Sequence, residues 1–173
     1  MNEAFIGLGS NLGDRLGHLR AALEWIAAEP GFVPRRASRV FETEPVGPPQ
    51  PRYLNAVVQV GTVLSPRQAL RKLLDIEEAL GRIRGEKWAP REIDLDLLLC
   101  GDRLCKGPDL EVPHPRLHQR AFVLTPLVEL DPGVVHPVLQ MTAAQLLAAR
   151  PLEERAGVRA LSVRWTEPTS WPR

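Results

Sequence analysis

The chain has 173 residues, 44% of them hydrophobic, which suits a single domain with a core of ordinary size. A net charge of +1 leaves no global field that would draw nucleic acid or an anionic membrane. No apolar run is long enough to span a bilayer, and Met1-Asn2-Glu3 leads into a strand-like segment instead of a signal peptide, so a cytoplasmic protein is expected.

Residues 3–9 read as a strand that runs into the glycine-rich Gly7-Leu8-Gly9-Ser10-Asn11-Leu12-Gly13. No Gly-Lys-Ser/Thr follows, so this is not a P-loop. Its plain reading is a tight strand-to-helix turn; its functional one is a backbone that a flat ligand can approach closely. Asp14 is placed to cap a helix carried by Leu16, Leu19, Leu23 and Ile26 to about residue 28, where Pro30-Gly31 stops it. A second strand is predicted over 36–43, a stiff proline-rich loop over 44–52 and a third strand over 54–63. Ser65-Pro66-Arg67-Gln68 opens a second helix with a cap, a proline at the first position and a capping box. Leu70, Leu73, Leu74, Glu77 and Leu80 continue its period, and Gly81 ends it. A charged loop over 82–91 feeds an apolar strand, which Gly101-Asp102 turns towards a partner through Leu104 and Cys105. Cys100 and Cys105 are the only cysteines, and a reduced structural pair is expected. Pro113-His114-Pro115 is a rigid corner. Residues 120–130 form a helix despite Pro126, and Thr142 caps a short one reaching about residue 149. Residues 158–165 could add an edge strand, and the last eight residues are expected to be loosely held. This order of elements predicts an α+β protein with helices packed on one mostly antiparallel sheet.

The chemistry concentrates in Lys87-Trp88-Ala89-Pro90-Arg91-Glu92-Ile93-Asp94-Leu95-Asp96-Leu97-Leu98-Leu99. On a strand, Asp94 and Asp96 point one way, while Ile93, Leu95, Leu97 and Leu99 point the other. Two acids side by side repel, and near a core they also lose hydration. A hard divalent cation such as Mg²⁺ relieves both costs and takes its remaining oxygens from a nucleotide's phosphates. A lone D-x-D on an edge strand is more often two solvated acids. Here Arg82, Arg84, Lys87, Trp88 and Arg91 crowd just upstream, which suits phosphoryl or nucleotidyl transfer better than a plain surface. Tyr53 and Asn55 share a strand face, a stacking platform beside an amide, although a rim tyrosine and a turn asparagine is the plainer reading. Phe122 defaults to the core. His114, between two prolines, is a phosphate ligand, an acid–base group or a surface residue.

Taken together, these runs resemble the 6-hydroxymethyl-7,8-dihydropterin pyrophosphokinases of folate biosynthesis. The resemblance rests on KWAPREIDLDLL and on FIGLGSNLGD, Glu42-Thr43-Glu44-Pro45-Val46-Gly47-Pro48, Tyr53-Leu54-Asn55, Glu77, Gly81-Arg82-Ile83-Arg84, Val112-Pro113-His114-Pro115 and Arg120-Ala121-Phe122-Val123-Leu124, in that family's order. It covers about residues 4–150 and leaves 151–173 as an extension without an assigned role. It implies a three-layer α-β-α plait of ferredoxin-like type, and transfer of pyrophosphate from ATP to 6-hydroxymethyl-7,8-dihydropterin with AMP as the other product. By position, Asp94 and Asp96 would hold two Mg²⁺ ions. Tyr53 and Phe122 would sandwich the pterin, with Asn55 reading its polar edge and Thr43 and Val46 helping through their backbones. Arg82 and Arg91 would neutralise the transferred group as catalytic residues. Glu77, Arg84, Lys87, Trp88, His114 and Arg120 would bind ATP. The loop over 82–91 and the segment over 44–52 would act as lids, and a monomer is expected. Leu74 stands where some members have a polar residue, and Lys87 where an arginine is frequent. Two other readings remain: a nucleotidyltransferase, which would release pyrophosphate, and a nucleotide-binding module without turnover.

Overall fold

The computed structural model describes residues 1–81, 92–166 and Trp171. The first half follows the predicted order: β1 (Asn2–Ser10), α1 (Arg15–Ala28), β2 (Phe32–Ala37), β3 (Phe41–Thr43), β4 (Tyr53–Thr62), α2 (Pro66–Ala79) and β5 (Asp94–Cys100). The caps form as the sequence requires. The Asp14 carboxylate accepts the Gly17 N–H at 3.0 Å. Ser65 and Gln68 close a reciprocal capping box at the start of α2.

Antiparallel pairing gives the order β5-β1-β4-β3, and β2 shares the β4 edge with β3. The predicted strand over 36–43 therefore starts earlier and is broken at 38–40. Ser38 replaces the regular ladder there: its N–H donates to Val57 O (2.9 Å) and its hydroxyl accepts the Val57 N–H (3.0 Å). Arg39 turns out to Glu129, donating through its backbone N–H at 2.7 Å and its guanidinium at 2.9 Å.

Helices cover both faces, so the architecture is the α-β-α plait. Leu19, Leu23 and Ile26 of α1, with Ala69, Leu73 and Ile76 of α2, bury against Ile6, Leu8, Val58, Leu95 and Leu97. On the opposite face Phe5, Val57, Leu98 and Leu99 meet α3 (Ala121–Leu130) and α4 (Ala143–Ala148) through Leu124, Leu127, Leu130 and Leu146. Each such fully buried aliphatic side chain contributes roughly 1.5–3 kcal/mol. Leu99 is a correction to the alternation. The β1–β5 register slips between Phe5 and Ile6, so Leu98 is an extra residue and Leu99 joins its face.

The second half departs more. Cys105 does not return along β5. Instead β6 (Cys105–Lys106) pairs with β7 (Glu111–Val112) as a separate hairpin, and both cysteines are free thiols. After α5 (Leu152–Ala156), the late strand shrinks to β8 (Arg159–Ala160), which covers the outer edge of β3. The end of the tail is not loose at Trp171, which is 1% exposed and donates its indole N–H to Leu23 O at 3.4 Å.

Candidate active site

One cavity of about 250 Å³ opens where the ends of β1, β4 and β5 meet the start of α3. Asp94 and Asp96 line it from β5. Their register partners on β1 are Gly9 and Gly7, so no neighbouring side chain on that strand competes for the space beside the carboxylates. Gly9 is tightly placed: a methyl group there would lie 3.2 Å from Asn55 Oδ1 and 3.6 Å from Tyr53 Cδ1. The glycine-rich run thus divides its work. Gly7 and Gly9 shape the cavity, while Gly13, at φ 67°, makes the turn.

Tyr53 and Asn55 enter from β4 two residues apart, on one face as alternation requires. Asn55 is 7% exposed and donates Nδ2 to Thr43 Oγ1 at 2.8 Å. That bond fixes the amide's orientation and leaves its oxygen towards Gly9. Thr43 and Val46 continue the wall, Val46 at 53% exposure on its rim. Phe122, in the first turn of α3, faces the same cavity, with the Arg120 guanidinium 5.5 Å from its ring centroid.

His114 completes the group. Its backbone N–H donates to Leu98 O at 2.9 Å, so the corner is tied to the bulge of β5. Its Nδ1 accepts the Arg116 N–H at 3.1 Å, which assigns the neutral ring's proton to Nε2 as a donor. Burial, then the nearby Arg120 cation, push the imidazole down to about 4, against the pull of Asp94. Burial also lowers Arg120, with Asp96 and Asp94 holding its charge in place.

Glu77 is elsewhere. It is 3% exposed and reaches from α2 to accept the Leu95 N–H at 2.6 Å, gripping the backbone between the two acids. It also borders a groove along α2 shared with Leu74, outside the main cavity. Arg82, Arg84, Lys87, Trp88 and Arg91 lie outside the described residues. Two contributors were not singled out in the sequence. Arg116 lines the cavity and acts on both His114 and Arg120; its place directly after the Pro-His-Pro corner was the available signal. Asn11, 1% exposed, donates to Gln50 Oε1 (2.8 Å) and Pro51 O (3.1 Å). Glu42 pairs with Arg15 at 2.9 Å and Arg52 at 3.7 Å, so the proline-rich segment is anchored at its base.

Residues 5–132 match the family model described as 7,8-dihydro-6-hydroxymethylpterin-pyrophosphokinase (HPPK). The chain belongs to the HPPK family. It is 43% identical to the 2-amino-4-hydroxy-6-hydroxymethyldihydropteridine pyrophosphokinase of Synechocystis sp. over 144 residues, covering 83% of this chain and 74% of that one. It is 42% identical to the enzyme of that name from Bacillus subtilis over 130 residues, covering 75% and 78%. Among solved structures, wild-type Plasmodium falciparum HPPK-DHPS with STZ-DHP superposes with a TM-score of 0.68 at 17% identity, over 85% of this chain and 43% of that one. An HPPK-DHPS crystallised with substrates gives 0.67 at 12% identity, over 86% and 43%. The chain spans less than half the length of these solved proteins, and at such identities they show the HPPK fold.

Proposed function

We propose that this HPPK family member transfers the pyrophosphoryl group of ATP to the hydroxyl of 6-hydroxymethyl-7,8-dihydropterin, giving the pterin pyrophosphate and AMP in folate biosynthesis. One observation carries the reading: two carboxylates and an aromatic–amide pair line the same cavity. The first suits a polyphosphate with its cation, the second a flat heterocycle, and together they accommodate both substrates of one transfer.

The pterin ring would lie between Tyr53 and Phe122, which stack on its faces. Asn55, held by Thr43, would read the polar edge with donor and acceptor together, with backbone groups of Thr43 and Val46 alongside. The donor set also fits Mg²⁺. Among the described residues there is no cluster of three or more metal-ligating side chains. Two hard carboxylates on one strand face suit a cation that takes its other ligands from phosphate and water. Asp94 and Asp96 would hold two such ions, which supply charge neutralisation on the phosphate oxygens.

The pterin hydroxyl oxygen attacks the β-phosphorus in line. The bond from that phosphorus to the oxygen bridging it to the α-phosphorus breaks, AMP leaves, and the hydroxyl proton is released. Arg120 and the His114 Nε2–H would bind non-bridging phosphate oxygens, and a neutral His114 donates there instead of acting as the base. Arg82 and Arg91 would neutralise the transferred group. Glu77, Arg84, Lys87 and Trp88 would order ATP. The 44–52 and 82–91 segments would close over both substrates as lids. The reading includes a single catalytic domain working as a monomer in the cytoplasm, where two free thiols are at home.

Anion-exchange chromatography after incubation with ATP, Mg²⁺ and the dihydropterin tests this. AMP rising in step with pterin consumption supports it. ADP would indicate ordinary kinase chemistry, free pyrophosphate nucleotidyl transfer, and no turnover a binding module.

A further inference from the structure

We propose that the C-terminal segment, residues 151–166, positions the pterin side of the cavity, with Trp165 as its principal positioning residue; this rests on the pyrophosphoryl-transfer reading above. The argument begins with a weakness in the sheet. β3 has only three residues, and its register against β4 (Phe41 to Asn55, Glu42 to Leu54, Thr43 to Tyr53) is what sets Thr43 beside Asn55. A strand this short at a sheet edge frays unless something covers it. The break at 38–40 weakens it further, because it separates β3 from the longer pairing of β2.

The C-terminal segment compensates at both points. β8 lies antiparallel on the outer edge of β3, pairing Ala160 with Phe41 and Arg159 with Glu42. Leu161 N–H then donates to Val40 O at 2.8 Å. The Trp165 indole N–H donates to Ser38 O at 2.8 Å, inside the core and at the break itself. Ser38 is the residue locked to Val57, two positions from Asn55 on β4. Trp165 is 6% exposed and packs in the core beneath α1 and α2, so its ring is fixed as well as its donor. Arg20 of α1 donates to Arg164 O at 2.6 Å, which holds the segment across the helix layer.

The same segment reaches the cavity's rim. Glu153, Glu154, Gly157 and Val158 wall a groove whose other side is made by Thr43, Val46, Arg120 and Phe122, all residues of the main cavity. The bond from Asn55 to Thr43 is thus held from β4 on one side and by the chain's last elements on the other. The acids Asp94 and Asp96 stand on β5, at the far edge of the sheet, and owe nothing to β8. Pterin recognition should therefore depend on the segment far more than nucleotide binding, which meets this groove only on its Arg116 and Arg120 side.

The test uses the full chain. Trp165→Phe removes the indole donor and keeps a ring in the site; Leu161→Pro removes the N–H that meets Val40. KM for the dihydropterin, KM for ATP, kcat and melting temperature are measured for each. The expected result is a pterin KM raised roughly fivefold or more, the scale of one lost buried hydrogen bond, with the ATP KM within about twofold of the parent. A fall in melting temperature and kcat with both KM values unchanged would show a merely structural strap and overturn the proposal, as would an equal rise in both KM values. Trp165→Phe decides the matter if Leu161→Pro does not fold. The unmodified chain is assayed in parallel: failure there to convert the dihydropterin overturns the pyrophosphokinase reading, whereas failure confined to the variants' KM pattern overturns the strap alone.

Discussion

Replacing Glu77 separates two ways in which a buried acid next to the site can matter. Its carboxylate accepts the Leu95 N–H at 2.6 Å, and Leu95 sits between Asp94 and Asp96. Glu77→Ala leaves that N–H without its acceptor, at about 1–3 kcal/mol, and removes one buried methylene at about 0.8 kcal/mol. The total is about 2–4 kcal/mol, which for a chain of this size lowers the melting temperature by roughly 4–16 °C. Glu77→Gln keeps one acceptor oxygen and the methylenes and loses the charge and the second oxygen, so its cost should be about a third of that. Thermal melts of both variants measure the difference. Mg²⁺ titration of activity then reads the consequence at the site: the Ala variant should need several times more Mg²⁺, because the backbone that spaces the two carboxylates is released. A Gln variant as unstable as the Ala variant would show that the rest of the carboxylate, not the bond to Leu95, is what matters. An Ala variant melting with the parent would refute the grip itself.

Other residues give independent checks. Gly9→Ala places a methyl group 3.2 Å from Asn55 Oδ1; the dihydropterin KM should rise by roughly an order of magnitude, the cost of a misplaced group in a fitted pocket, with the fold intact by circular dichroism. His114 makes stability pH-dependent. The unfolded imidazole takes up a proton below about 6.5, while the folded one stays neutral down to about 4. The unfolded state binds more protons in that window, so stability falls as pH drops through it. His114→Gln should flatten that part of the melting-temperature profile, and an unchanged profile would contradict the assignment. Ellman's reagent should modify one thiol of the native protein readily and the second only on denaturation. Cys100 is fully buried with its pKa raised by that burial, whereas Cys105 is half-exposed.

What the sequence made legible was local. Asp14, Ser65 and Thr142 cap helices through bonds three residues long, and such short-range chemistry is visible in any chain order. The alternation that turns Asp94 and Asp96 together, and Tyr53 and Asn55 together, also needs only neighbours. The parts that escaped depend on distant partners. The bulge at Leu98 reflects the register against β1. The break at Ser38 is completed by Trp165, 127 residues later, and Trp171 finds Leu23 across 148. The alternation over 158–165 announces a strand but not the Ser38 contact, and the last eight residues, with no period, read as loose. Arg116 was missed for a related reason: a single arginine after a rigid corner carries no pattern, and only the fold sets it beside His114 and Arg120.

The central claim is that two phosphates move together from ATP to the dihydropterin. ATP labelled with ³²P at the β position, incubated with the protein, Mg²⁺ and 6-hydroxymethyl-7,8-dihydropterin, reads it directly. The account predicts label on the pterin and unlabelled AMP. Label retained in ADP, or released as free pyrophosphate, would contradict it.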